Sequence, residues 1–368
     1  MAERTYIPWE LGEQFIVAAF QALHVPEADA RIAVDVILES DRRGIDSHGF
    51  NRFKPMYIDR LRSGLQKPVT TLEILKETAA TLAIDAHGGL GMVASVRTMD
   101  EVIRKAEQVG IAMGVVRNSS HFGIAGYYAM MAAKKGLLGI CGTNTRPSVA
   151  PTFGVDNILG TNPFTFAFPT DEDFPFVLDC ATCVSSKGKI EYYARCGKDT
   201  PEGVVTGRDG RPLTDSRDIL KRFPKNSAAL LPLGGAGEEH GGYKGYGYAT
   251  VVEILSSALA AGDFLRALSG IDSAGRRVPH RVGHFFIAID PDFFLGKETF
   301  RETAGAILRE LRASAKAPGQ DRIYTAGEKE YLIWQKRKAA GIPLLPGVPE
   351  ELITVRNEFH LPFHFPFE

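Results

Sequence analysis

The sequence predicts a mixed α/β fold. A helical N-terminal part, packed with the C-terminal tail, flanks a central sheet domain. Three observations point there. Residues 8–62 carry apolar side chains at helical spacing. From about Thr70 the texture changes to short apolar runs separated by glycine or proline, which read as strands. Helical segments then alternate with those runs, so the sheet is covered by helices.

The elements follow in order. Pro8 and Pro26 stand where helices begin, because proline is tolerated at the first helical position. After Pro26, EADARIAVDVILESDRRGI places Ile32, Val36 and Ile37 on one helical stripe. SHGFNRFKPMYIDRLRSG continues the pattern through Phe53, Met56, Tyr57 and Leu61 and stops at Gly64. The segments ATLAIDA, IAMGVVRN, GLLGICGTN, FTFAFPT and FPFVLDCAT read as strands, with helices at 92–109 and 124–135 between them. KGYGYATVVEILSSALA is a long apolar helix, HRVGHFFIAID a strand and FRETAGAILRELRASA a helix. The tail beyond 316 is charged and proline-dotted, with a helical piece at 327–340. The expected organisation is a helical domain, 1–70 joined by 315–368, and a catalytic α/β domain, 71–314.

Composition narrows the function classes. The chain has 368 residues, 44% hydrophobic and 24% charged, the balance of a globular protein too long for one small core. A net charge of −1 and the lack of any basic run argue against nucleic acid. Apolar stretches break well before bilayer length, so no membrane span is expected. Met1-AERTYIPWE has neither the basic nor the apolar region of a signal peptide. Four cysteines in such a chain point to free thiols in a cytoplasmic protein rather than to a disulfide framework.

Five motifs are candidates for chemistry. The stretch from Gly234 to Gly247 holds seven glycines and Lys244 in fourteen residues and runs into a helix. Such backbone can aim N–H groups at an anion, although the same composition also describes a plain surface loop. It lacks the Gly-Lys-Ser/Thr of a P-loop. Gly89-LGMVA-Ala94 fits the G-x-G-x-x-A dinucleotide turn, yet the next strand ends in Arg117-Asn118 instead of the acid that would hold a ribose. His48 and Arg52, four apart after Asp46-Ser47, would share one face of a capped helix. They suit an acid substrate: a histidine exchanges a proton near pH 7 and an arginine grips a carboxylate. A solvated helix face is the bland alternative. Asn118-SSHFG-Gly123 puts His121 in a polar turn between a strand and a helix, where α/β sheets bind ligands. Asp179, at a strand end in DCATC, could orient a histidine or hold a cofactor hydroxyl. The CxxC of Cys180 and Cys183 lacks the second ligand pair of a zinc site.

Together SHGFNR, NSSHFGIAGYY, GTNPF, DCAT, KGKIEYYARCGKDTPEG and GGYKGYG resemble the malate/L-lactate dehydrogenase family of the lactate dehydrogenase 2 type. The similarity runs nearly end to end, to HFFIAIDPDFF and the tail GIPL. The resemblance implies an α/β (α+β) fold with a largely antiparallel, atypical, non-Rossmann dinucleotide-binding sheet, and a homodimer. It implies NAD- or NADP-dependent interconversion of a 2-hydroxy acid and a 2-oxo acid. Malate leads, with lactate, ureidoglycolate, sulfolactate, diketogulonate and cyclic imine acids open. It gives His48 and His121 as alternative proton donors, Arg52 as the carboxylate clamp, and Asp179 as a residue that lines the cofactor. Ser120, Phe122, Gly123, Asn144, Thr161, Asn162, Ala181, Gly242 and Lys244 fall in its dinucleotide segments. Two readings of other classes stand beside it. One is a non-catalytic binding module. The other is a metal-dependent hydrolase or lyase on the histidines and Asp179, which the lack of metal-ligand spacing disfavours.

Overall fold

The computed structural model describes residues 5–368. The N-terminal part contains β1 (Thr5–Ile7), α1 (Trp9–Ala22), α2 (Glu27–Arg42) and α3 (Asp59–Arg62). The sheet region follows with β2 (Glu73–Glu77), β3 (Thr81–Asp85), α4 (Gly91–Val109), β4 (Ile111–Ser119), α5 (Gly126–Lys134), β5 (Leu138–Thr143), β6 (Phe164–Phe168) and β7 (Phe176–Cys180). A smaller group comes next: α6 (Lys187–Arg195), β8 (Val205–Gly207), α7 (Ser216–Arg222) and β9 (Ala228–Leu230). The chain closes with α8 (Gly242–Ser257), β10 (Val282–Ile289), α9 (Lys297–Ala313), α10 (Glu328–Ala340), β11 (Ile342–Leu344) and α11 (Val348–Glu358).

Seven strands form the central sheet in the order β2-β3-β4-β10-β5-β6-β7. Only β3 and β4 run parallel within it, joined through α4; the other neighbours are antiparallel. The predicted mixed α/β class and its largely antiparallel sheet are both present. Period-two alternation gives the sheet two buried faces. Val116, Phe286 and Ala288 point to the side covered by α4, α5 and the N-terminal helices. Val115, Phe285 and Ile287 point to the side covered by α8 through Val252.

The two chain ends pack together. β1 pairs with β11, with Thr5 opposite Leu344. Phe15 meets Phe363 and Phe365 edge-on, and Trp9 meets Trp334 the same way. One core cluster runs from Ile7 through the sheet to Phe365, and a second gathers residues between Val149 and Ala249. No helix among the described residues is long and apolar enough to cross a membrane.

The helical reading of 8–62 needs one correction. The chain leaves α2 after Arg42, and His48 lies in a turn rather than on a helix face. A 3-10 turn over Phe50–Arg52 and a π-turn over Lys54–Ile58 lead into α3. Pro55 supplies no backbone N–H, which is why the ladder loosens there. Asp46 and Ser47 cap no helix: Asp46 takes a two-pronged ion pair from Arg337 of α10.

Candidate active site

The turn that carries His48 is pinned from behind. The Asp41 carboxylate, buried in α2, accepts the Phe50 N–H at 2.7 Å. Gly49 leaves room for that carboxylate; a Cβ there would sit 2.2 Å from it. With the turn fixed, the His48 ring lies parallel to His121, centroids 5.8 Å apart and planes 19° apart. The two histidines singled out from sequence therefore meet in space, although 73 residues separate them. The spacing argument for His48 and Arg52 rested on a helix that is absent. The pair is still brought near, since the Arg52 charge acts on both histidines.

His121 is held by its own turn. Ser119, Ser120 and Phe122 around it are buried. Phe122 stacks on His284 of β10 at 4.5 Å and 8°. Gly123 has φ +79°, and the space beside it is filled by Val36 of α2. The Tyr57 hydroxyl lies 2.9 Å from His121 Nδ1, and the Gly123 N–H reaches the same atom at 3.3 Å.

The electrostatics are one-sided. Burial first, then the Arg52 charge, lowers His48 to about 4. Burial, then His48, Arg60 and Arg52, holds His121 well below the ordinary imidazole value. His280 is lowered to about 4 by burial, then by Arg60, Arg146 and Arg277. Burial and then those neighbouring arginines also lower Arg60 itself. The ion pairs among the described residues include none to Arg52, Arg60, Arg146 or Arg277. Four guanidinium groups thus face one region without a carboxylate to answer them. Such a region draws anions.

Several predicted residues serve the frame rather than an open face. Asn144 gives its amide hydrogens to Glu253 and the Asp263 carbonyl, and its oxygen accepts the Gly283 N–H. Asn162 gives its own to Glu253 and the Ala249 carbonyl and accepts the Thr145 N–H. Both side chains are fully buried, and each amide is bonded through its nitrogen and its oxygen. Ser120 is equally committed, accepting from Gln66 and the Gly91 N–H and donating to the Gly89 carbonyl. Asp179 binds no histidine among the described residues. Its oxygens take the Gly126 N–H at the start of α5 and the Thr165 hydroxyl. It therefore fixes the helix that leaves the His121 turn, and it lines a cleft of about 290 Å³ with Arg43, Tyr324 and Glu330.

The residues still presented are Thr161, Ala181 and the glycine-rich entry to α8. Thr161 bonds Thr145 but stays half-buried, as does Ala181. Gly241 caps α8 in the left-handed conformation and no side chain takes the helix's first N–H groups. Gly242 lets the loop fold tightly, since a Cβ there would lie 2.1 Å from the Gly235 carbonyl. Lys244 is exposed, and its ammonium lies 5.7 Å from the Tyr243 ring.

Sequence reading missed Tyr57, Arg60, Glu253 and His284. A signal existed for two of them. Glu253 is the lone acid in the apolar run ATVVEILSSALA, and His284 interrupts the apolar strand VGHFFIAI. In the sequence Tyr57 reads only as part of an apolar stripe.

Known proteins match nearly the whole chain. A family model described as malate/L-lactate dehydrogenase matches residues 7–353. The chain belongs to the malate/L-lactate dehydrogenase family. It is 43% identical to a malate dehydrogenase of Pyrococcus horikoshii, across 94% of this chain and 93% of that one. It is 37% identical to an L-sulfolactate dehydrogenase of Methanocaldococcus jannaschii, across 96% of each. The crystal structure of a malate dehydrogenase from Entamoeba histolytica superposes with a TM-score of 0.95 at 40% identity, covering 99% of this chain and 100% of that one. The protein is thus an oxidoreductase, a 2-hydroxy acid dehydrogenase that acts on a small molecule with a nicotinamide cofactor. At α8 no side chain among the described residues caps the helix N-terminus, and the Lys244 ammonium forms no ion pair among them, which are groups suited to an anionic cofactor.

Proposed function

We propose that this dehydrogenase interconverts malate and oxaloacetate with NAD or NADP. The observation that carries the reading is the set of four unanswered arginines: Arg52 and Arg60 beside the stacked His48 and His121, and Arg146 and Arg277 beside Arg60 and His280. A substrate with two negative charges satisfies that field better than lactate, which has one. Arg52, exposed beside His48, is the clamp for the carboxylate next to the reacting carbon. The same field suits a sulfonate, so sulfolactate is the second reading.

Lys244, Gly242, Thr161 and Ala181 are the groups we assign to the dinucleotide, with Ser120, Phe122 and Gly123 shaping its wall. When bound, the nicotinamide supplies hydride to C2 of the oxo acid or accepts it from the hydroxy acid. The histidine pair exchanges the proton on the adjoining oxygen. Both rings are neutral at neutral pH, because burial and the arginines depress them. A depressed histidine is a base above its own pKa and loses that role only as pH falls through it. We expect kcat/KM for hydroxy acid oxidation to stay level below pH 6.5 and fall only toward about 4. A limb at or above 6.5 would contradict this.

In this reading the division into 1–70 with 315–368 and 71–314 puts His48 and Arg52 on one part and His121 on the other. The outer face of α8 exposes Tyr246, Val251 and Ile254, and we propose that it packs against a second copy in a homodimer. Free thiols suit a cytoplasmic setting. The deciding assay follows nicotinamide absorbance with NADH and NADPH against oxaloacetate, sulfopyruvate, pyruvate and a cyclic imine acid. Preference for oxaloacetate supports the proposal. Preference for pyruvate would remove the reason for the arginines and overturn it.

A further inference from the structure

We infer that Tyr57 is a positioning residue that locks His121 as the neutral tautomer with its proton on Nε2. This makes His121 a hydrogen-bond donor to the substrate oxygen and leaves proton transfer to His48. The inference rests on the proposed site for its chemical meaning, but the lock itself stands on geometry.

Two groups converge on His121 Nδ1. The Gly123 N–H can only donate, so at 3.3 Å it needs a lone pair on that nitrogen. The Tyr57 hydroxyl lies 2.9 Å from the same nitrogen and has no other partner among the described side-chain bonds. With a lone pair already required there, the hydroxyl donates as well. A neutral imidazole carries one proton, which must then sit on Nε2. A second proton would have to go to Nδ1, where it would face two donors. The surroundings reinforce this. His48, Arg52 and Arg60 face the ring from the N-terminal segment and His284 faces it from β10, and none is an acid. Tyr57 is itself fully buried and packed against Phe20, so its hydroxyl is held in place.

The consequence divides the histidine pair. His121 Nε2–H, with no partner among the described residues, can donate to a carbonyl or alkoxide oxygen. It cannot accept the proton of a hydroxy acid there, because its lone pair is turned toward Tyr57. His48 has no such lock: its Nδ1 meets only the Ser47 hydroxyl at 2.9 Å, which serves as donor or acceptor. His48 therefore exchanges the proton, and His121 stabilises the charge that develops on the same oxygen.

The test reads the proton directly. Imidazole nitrogen NMR on the full-length chain labelled at histidine, with His121→Gln to assign the signals, should show His121 protonated at Nε2 and bare at Nδ1 from neutral to mildly acid pH. In Tyr57→Phe the Nδ1 signal should shift toward the protonated form as pH falls, because one of two opposing donors is gone. The wild-type proton on Nδ1, or a Tyr57→Phe spectrum identical to wild type, overturns the lock whether or not malate is the substrate. Kinetics test the division of labour. His121→Gln keeps an N–H donor and should lose roughly tenfold in kcat, the scale of one weakened hydrogen bond. His48→Gln should lose about 10²–10⁴-fold. Equal losses in folded protein would overturn the assignment of proton transfer to His48. No loss in either would overturn the proposed function while the NMR result still stood.

Discussion

Two glycine turns lead into long helices in this molecule, and they differ in what their backbone N–H groups do. Gly89–Ala94 follows β3, opens α4 and leads to the parallel neighbour β4, so it has both the motif and the βαβ setting of a dinucleotide site. Yet the Leu90 N–H goes to the Thr70 hydroxyl and the Gly91 N–H to the Ser120 hydroxyl. The backbone carbonyls of Ser120 and His121 press on Gly91, leaving space only for hydrogen. The turn that would hold a phosphate holds the His121 turn instead. The entry to α8 matches no phosphate motif, but its cap is a bare glycine and the Lys244 ammonium has no ion pair among the described residues. Motif spacing reports that a backbone can approach something closely. Only the competing partners decide whether that something is a ligand.

The largest effect that would break this contrast comes from Gly91→Ala. Its Cβ would lie 2.1 Å from the Ser120 carbonyl, and neither backbone can yield easily. We expect about 3 kcal/mol of lost stability in denaturant unfolding, at the upper end for overpacking, together with lost activity as the His121 turn is displaced. A stable variant with weakened dinucleotide binding alone would mean that α4 does bind the cofactor. Ser120→Ala is the next step down. It strands the buried Gly91 N–H and Gly89 carbonyl and should cost about 2 kcal/mol of stability with dinucleotide affinity unchanged. A change in affinity without a change in stability would return Ser120 to the list of cofactor contacts.

These residues also show how far the sequence was legible. The strands announced themselves as short apolar runs between glycines and prolines and the helices by spacing, because both are local. β2 did not, since EILKE is exposed along its whole length and is held only by pairing with β3. His48 was visible by its spacing to Arg52 and His121 as a histidine in a polar turn, but their stacking depends on contacts that spacing does not show: Asp41 holding the His48 turn, and Val36 and His284, distant in sequence, beside the His121 turn. The resemblance places Asn144 and Asn162 in dinucleotide segments, and their bonds to the buried frame are not legible locally because buried polar turns and binding turns have the same composition. Glu253, which engages both, lies about a hundred residues away; it stands out as the lone acid of an apolar run, but nothing local ties it to either asparagine. The arginines were invisible as a group for the same reason: a charge is read as solvated until its neighbours are known.

Lys244→Ala probes the open side of the comparison. The side chain is exposed and unpaired, so stability should not move. If it contacts a dinucleotide phosphate, KM for the cofactor should rise roughly tenfold, the scale of one charge-assisted hydrogen bond, and the rise should shrink at high salt. An unchanged KM would leave the α8 entry as a plain surface loop.

The smallest effect, and the sharpest, belongs to Gly247→Ala. Gly247 sits in the second turn of α8 with nothing within 4 Å of the position a Cβ would take. In the protein alone, alanine should stabilise the helix by about 0.5–1 kcal/mol, because glycine loses more backbone freedom on folding. That gain shows as a higher unfolding midpoint without ligand. A cofactor lying against this turn would meet the added methyl, and the gain would shrink or reverse when saturating dinucleotide is present. A cofactor that touches only the first turn and Lys244 would leave the gain intact. The difference between the two midpoint shifts therefore measures how far along α8 the ligand reaches, which no glycine of the closed α4 turn can report.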